Sequence, residues 1–106
     1  MRGHKLAELL AQELGIYVEP SRLNQYERRG VLSAPRRVGK YKNYTATDYD
    51  KVKKTVILST LGVHLDDVRR YILGIGKEEL EVEFRERMAK LSKVLAIAQD
   101  IWSVTN

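Results

Sequence analysis

The stretch Q25-Y-E-R-R-G-V-L-S-A-P-R-R-V-G-K-Y-K-N-Y44 carries six cations, one carboxylate and three tyrosines, with glycine and proline at its joints. Pro35 and Gly39 interrupt any regular element across residues 33–40. Val31-Leu32 and the run from Tyr41 to Tyr44 lie either side of that interruption, so they are expected to pair as a small hairpin. Just upstream, Pro20 and Ser21 suit the start of a helix over residues 21–29 that stops at Gly30. Leu23 and Tyr26 share its inward face, and Arg22, Asn24, Gln25, Arg28 and Arg29 populate the rest.

Working outward, Leu6, Ala7, Leu9, Leu10 and Leu14 recur at helical spacing ahead of Gly15, which predicts an amphipathic helix over residues 4–14. Two short helices joined by I16-Y-V-E19, the second polar and basic, make a helix-turn-helix candidate. After the hairpin, T45-A-T-D48 is a capping-box-like start, with Asp in place of Glu, for a helix through Val52, Val56, Ile57 and Leu61 to Gly62. A further short helix carries Leu65, Val68, Tyr71 and Ile72. Asp66 and Asp67 lie in its first turn and Arg69 and Arg70 near its end, both favourable to the helix dipole.

From Lys77 nearly to the end there is neither glycine nor proline. Apolar residues stand at Phe84, Met88, Leu91, Leu95, Ala98 and Trp102, in steps of 4, 3, 4, 3, 4. That 3.5-residue repeat is a coiled-coil seam, and a helix of roughly 40 Å needs more cover than its own small domain supplies. These six residues are the expected dimer interface. Trp102 is read as a knob in the seam, with a lid over a small-molecule pocket as the alternative.

The chain has 106 residues, the length of one ordinary domain, and 43% apolar content, which argues for a folded protein. Its formal net charge is +5, distributed as −1 over residues 1–19, +6 over 20–44, +1 over 45–76 and −1 over 77–106. An excess confined to one quarter of the chain is the footprint of phosphate binding. The absence of cysteine removes thiolate metal sites, disulfides and thiol nucleophiles. No apolar run approaches a membrane span and no secretion signal opens the chain, so a cytoplasmic location is expected. Dipole compensation accounts for Asp66 and Asp67 beside His64, and neither metal nor cofactor is expected. No nucleophile and base, phosphate loop or ligand spacing marks an enzyme.

The runs P20-S-R-L-N-Q-Y-E-R-R-G-V-L32, P35-R-R-V-G-K-Y-K-N-Y44, Asp48 and L61-G-V-H-L-D-D-V68 together resemble the MerR family of winged-helix regulators. Its heat-shock-repressor and nitrogen-regulator branches are nearest. The resemblance spans about residues 5–73. It implies a mainly α fold with a small β-hairpin wing, a DNA-binding domain over residues 1–76, and a dimerisation helix over residues 77–106 that forms an antiparallel coiled coil. Double-stranded DNA and a second copy are the implied partners, with RNA polymerase or a segregation partner as further candidates.

The DNA-binding residues are then Ser21, Arg22, Asn24, Gln25, Arg28, Arg29, Arg36, Arg37, Lys40, Tyr41, Lys42 and Tyr44. Arg22 could address guanine, and Asn24 or Gln25 adenine, while the wing cations grip phosphates. Tyr26 and Leu23 are read as core, Tyr44 as mainly structural, and Glu27 either as orienting Arg36 or Arg37 or as a free surface carboxylate. The chain departs from the family pattern at Arg22, Asn24 and Gln25, so its base preference should differ. The helix connection is about two residues longer, Lys42 replaces an arginine, and His64 stands where a capping serine is usual. An effector domain like that of many members is not expected. The expected function is a dimeric transcription regulator on an inverted-repeat operator without a small-molecule signal. The alternative is an architectural, excisionase-like or DNA-segregation protein.

Overall fold

The computed structural model describes residues 1–102. In chain order these form α1 (Gly3–Leu14), α2 (Pro20–Arg28), β1 (Arg36–Val38), β2 (Tyr41–Asn43), α3 (Ala46–Thr60), α4 (Leu65–Ile72) and α5 (Lys77–Trp102). The fold is a mainly helical winged helix-turn-helix followed by a long helix, as the periodicities predict. Trp102 is the last described residue, so the end of the expected 77–106 helix lies outside the described residues.

Each early helix ends where the sequence offers a stop. Gly15 adopts φ 68° and donates its N–H to the carbonyl of Ala11 at 2.8 Å. Pro20 occupies the first turn of α2, where its missing N–H costs nothing. Gly30 has φ 77°, a left-handed conformation that favours glycine; the nearest neighbour of a Cβ there is the flexible, exposed Arg69 side chain, so the backbone and not packing sets the preference.

The chain leaving α2 corrects the hairpin expected from sequence. Val31 and Leu32 are both buried and join the core instead of pairing with residues 41–44. Two adjacent residues of a strand point to opposite faces, so burying both requires irregular backbone. Pro35 has no N–H for a ladder, and β1 starts directly after it. Arg36 pairs with Asn43, Arg37 with Lys42 and Val38 with Tyr41, antiparallel across the Gly39-Lys40 turn. Gly39, with φ 63°, supplies the left-handed turn residue.

Two apolar clusters form the interior. Leu6, Leu10, Val18, Leu23, Tyr26, Tyr44, Val52 and Val56 join α1, α2, the end of the wing and α3. Leu58, Val63, Val68, Leu80 and Phe84 join α3, α4 and the start of α5, and Leu65 and Ile72 pack against both clusters. Burying each such side chain contributes about 1.5–3 kcal/mol before entropy. The packing of the head therefore runs past residue 76 into the first turns of α5.

Phe84, expected on the dimer seam, is only 5% exposed and lies edge-to-face with Tyr71 at 5.3 Å. It serves its own chain's core, and the exposed part of the seam begins at Met88. Leu91 and Ala98 are half-buried, while Leu95 and Trp102 are exposed. Val94, Ile97 and Ile101 are exposed as well, so the apolar face of α5 is broader than the 3.5-residue seam alone.

Caps and ties set how the helices meet. Oγ1 of Thr45 accepts the N–H of Asp48 at 3.1 Å, and Oδ2 of Asp48 accepts the N–H of Thr45 at 2.8 Å, completing the box read from sequence. Thr45→Ala is expected to cost about 1 kcal/mol, lowering the thermal midpoint by about 4–8 °C. An unchanged midpoint in calorimetry would remove the cap from the account of α3. His64 takes over the serine role at α4, its Nδ1 accepting the N–H of Asp66 at 3.1 Å.

Glu13 of α1 receives hydrogen bonds from Tyr49 and Lys53 of α3. Lys53, then Tyr49, holds its carboxyl below the ordinary range. Burial, followed by the bond to Glu13, pushes the Tyr49 hydroxyl up to about 12.

Candidate nucleic-acid interface

On α2, Leu23 and Tyr26 are buried, which turns the opposite face outward. At 100° per residue the positions most nearly opposed to them are Ser21 and Arg28, with Asn24 and Gln25 on either side, and all four are exposed. Asn24 lies on the wing side of this outward face, and Glu27 on the flank toward the wing. Arg22 lies on the other flank and lines a recess with Ile16, Val18, Tyr26 and Val56. Burial raises the pKa of Tyr26, against the opposing effect of the Arg22 guanidinium beside it.

The wing is fastened to this helix by one lysine. Nζ of Lys42 donates to Oδ1 of Asn24 at 2.7 Å and to Oε2 of Glu27 at 2.9 Å. The Lys42 and Glu27 side chains are 26% and 24% exposed, so the pair is partly shielded from solvent. Glu27 thus engages Lys42, not the expected Arg36 or Arg37. Strand alternation gives the reason for Arg36, which points to the other face with Asn43; Arg37 shares the face of its cross-strand neighbour Lys42 but turns to the carbonyl of Lys40. Lys42, expected to grip a phosphate, is in this structure the tie that sets wing against helix.

Asn24 changes role with it. A side-chain amide reads adenine by offering its oxygen and its NH2 together. With Oδ1 engaged by Lys42, Asn24 presents only N–H donors. Gln25 makes no such bond among the described residues and keeps both functions available.

The other basic residues divide in the same way. Arg29 donates to Oδ1 of Asp66 at 2.9 Å, joining the exit of α2 to the first turn of α4 and holding the Asp66 carboxyl below its ordinary range. Arg28, Arg36, Arg37 and Lys40 are exposed and form no ion pair among the described residues. Arg37 makes only a 3.4 Å bond to the carbonyl of Lys40.

Tyr44 is 4% exposed, and its backbone is bonded in both directions to Met1. Its hydroxyl is pushed up first by burial. That burial fits the structural one of its two expected roles. Tyr41 is 43% exposed and carries the Arg2 guanidinium 3.7 Å from its ring centre, with Nζ of Lys40 at 5.5 Å on the same ring.

Arg2 was missed in sequence because it sits in a segment of net negative charge, far from the wing along the chain. A pairing between residues 1 and 44 brings it there. Arg2, Arg28, Arg36, Arg37 and Lys40, which form no ion pair among the described residues, therefore lie about the outward face of α2 and the hairpin, with Arg22, likewise without one, on the far flank.

A polar, exposed helix docked through two side chains, flanked by a basic hairpin tied to it, defines a winged helix-turn-helix DNA-binding protein. The family model described as MerR HTH family regulatory protein matches residues 8–75, and the chain belongs to that family. It is a DNA-binding transcription regulator by that membership. Comparison with curated proteins and with solved structures gives no match. No helix among the described residues is long and apolar enough to cross a membrane.

Proposed function

We propose that the protein acts as a homodimer on an inverted-repeat operator. Ser21, Gln25 and Arg28 enter the major groove, and the wing lies along the phosphate backbone. The observation that carries this reading is the Lys42 tie. It holds the hairpin at a set position beside the recognition helix while leaving cations exposed on both. Gln25 offers the bidentate pattern for adenine, Arg28 that for guanine, and Asn24 donates to base acceptors such as guanine O6 or thymine O4.

The dimer reading rests on α5, where Met88, Leu95, Ile101 and Trp102 stand in solvent on one chain. A contiguous apolar face of this extent marks an interaction surface. A two-fold between two such helices places the recognition helices symmetrically, and operator symmetry follows.

Footprinting of purified protein on genomic DNA tests this. Protected sites are expected to be inverted repeats with half-sites one helical turn, or a multiple of it, apart. With Arg28 given to a base, four free cations per protomer (Arg2, Arg36, Arg37 and Lys40) are left for phosphates, and log K against log salt should fall with a slope of about −3.6 per half-site, about −7 for the dimer. Protection of single half-sites or clustered direct repeats would contradict the proposed symmetry.

A further inference from the structure

A groove of about 330 Å³ opens between α3, α4 and α5, lined by Ile57, Leu61, Phe84 and Met88 together with Glu81 and Arg85. Ile57 and Met88 are exposed on its walls, so the second core cluster is open to solvent on this side. The sole tryptophan of the chain, Trp102, is 73% exposed at the far end of α5. It cannot fill its own groove. Eighteen helical residues separate it from Phe84, about 27 Å along a straight helix.

The seam itself points to what can. In an antiparallel pair with its axis near residue 93, Leu91 faces Leu95, Met88 faces Ala98 and Phe84 faces Trp102. Each large side chain then meets a smaller or matching one, as close packing requires. A parallel pair would set Ala98 against Ala98 and leave a void. The antiparallel register brings the second copy's Trp102 to the level of Phe84, where α3 and α4 flank the helix and the groove lies.

A buried indole also needs an acceptor for its N–H. Glu81 supplies one, because its present contacts are long: 3.4 Å from the Tyr71 hydroxyl and 3.9 Å from Arg85. We propose that the indole of Trp102 from a second copy seats in this groove, donating to Glu81 and closing the core left open beside Met88. The inference rests on the dimer reading and deepens it. The helix end of one protomer becomes part of the other's DNA-binding head.

The test uses the full chain and its single tryptophan. Emission should shift to the blue, and iodide quenching should fall several-fold, over the same concentration range in which sedimentation shows monomers becoming dimers. Trp102→Ala should raise the dimer dissociation constant roughly 30-fold, the effect of a buried aromatic anchor. Leu61→Glu and the more exposed Ile57→Lys, both off the seam, should each restore solvent-like emission. They should add little to the loss when combined with Trp102→Ala.

A dimer whose indole keeps solvent-like emission, or whose emission ignores both groove variants, leaves the groove to another occupant and overturns the proposal while the dimer stands. A chain that remains monomeric across that range overturns both.

Discussion

Replacing Arg36 and Arg37 together with alanine is expected to weaken binding to DNA of every sequence by about 30-fold per half-site near 0.15 M salt, and by about a thousandfold for a dimer on a full site. The size follows from counterion release. Each cation held against a phosphate frees condensed ions, and two fewer contacts per protomer remove about 1.8 from the salt slope.

Neither arginine forms an ion pair among the described residues or reaches the core, and both are exposed. The double variant should therefore unfold at the same temperature as the parent. The loss should be nearly uniform across sequences, because phosphate contacts position the protein without reading bases. Fluorescence-anisotropy titrations on operator and random duplexes at several salt concentrations measure all three quantities. An unchanged slope would remove the wing from the DNA interface.

The second large effect concerns α5. Leu95→Lys puts a charge in the middle of the proposed seam, opposite Leu91 of the second copy. Burying an unpaired ammonium there costs more than the interface can supply from one residue, so the dimer is expected to dissociate at micromolar concentration. Affinity for the full operator should then fall by about three orders of magnitude, toward that of one half-site binding alone.

Because Leu95 is exposed and lies well beyond the head's core, the fold of residues 1–84 should persist. Sedimentation reads the assembly and titration reads the affinity. A variant that stays dimeric would exclude this seam, whereas a monomer with undiminished operator affinity would exclude the two-fold mode of binding. The two measurements separate α5 as a structural element of the head, through Leu80 and Phe84, from α5 as a surface for another chain.

Much of this architecture is legible in one dimension because it rests on local chemistry. Helical spacing of Leu6, Leu10 and Leu14, the proline and glycines that begin and end helices, and the Thr45–Asp48 box act within one or two turns, and the elements form where these signals place them. The concentration of charge over residues 20–44 likewise marks the basic surface without reference to the fold. The inward face of α2 follows from Leu23 and Tyr26, and so in outline does its outward one.

What the one-dimensional pattern does not carry is which polar groups meet. Lys42 and Asn24 are eighteen residues apart, and only the docking of the hairpin against α2 makes the one a tie and occupies the oxygen of the other. Strand alternation sets Arg37 and Arg36 on opposite faces, the pairing of residues 1 and 44 brings Arg2 onto Tyr41, and the approach of α4 to the exit of α2 commits Arg29 to Asp66.

Phe84 shows the limit most clearly. Its heptad position is that of a seam residue, yet α4 folds back onto α5 and its ring is used at home. Hydrophobic period records that a side chain will be buried. Which surface buries it is decided by the path of the chain, because contact energies depend on three-dimensional neighbours that sequence spacing leaves open.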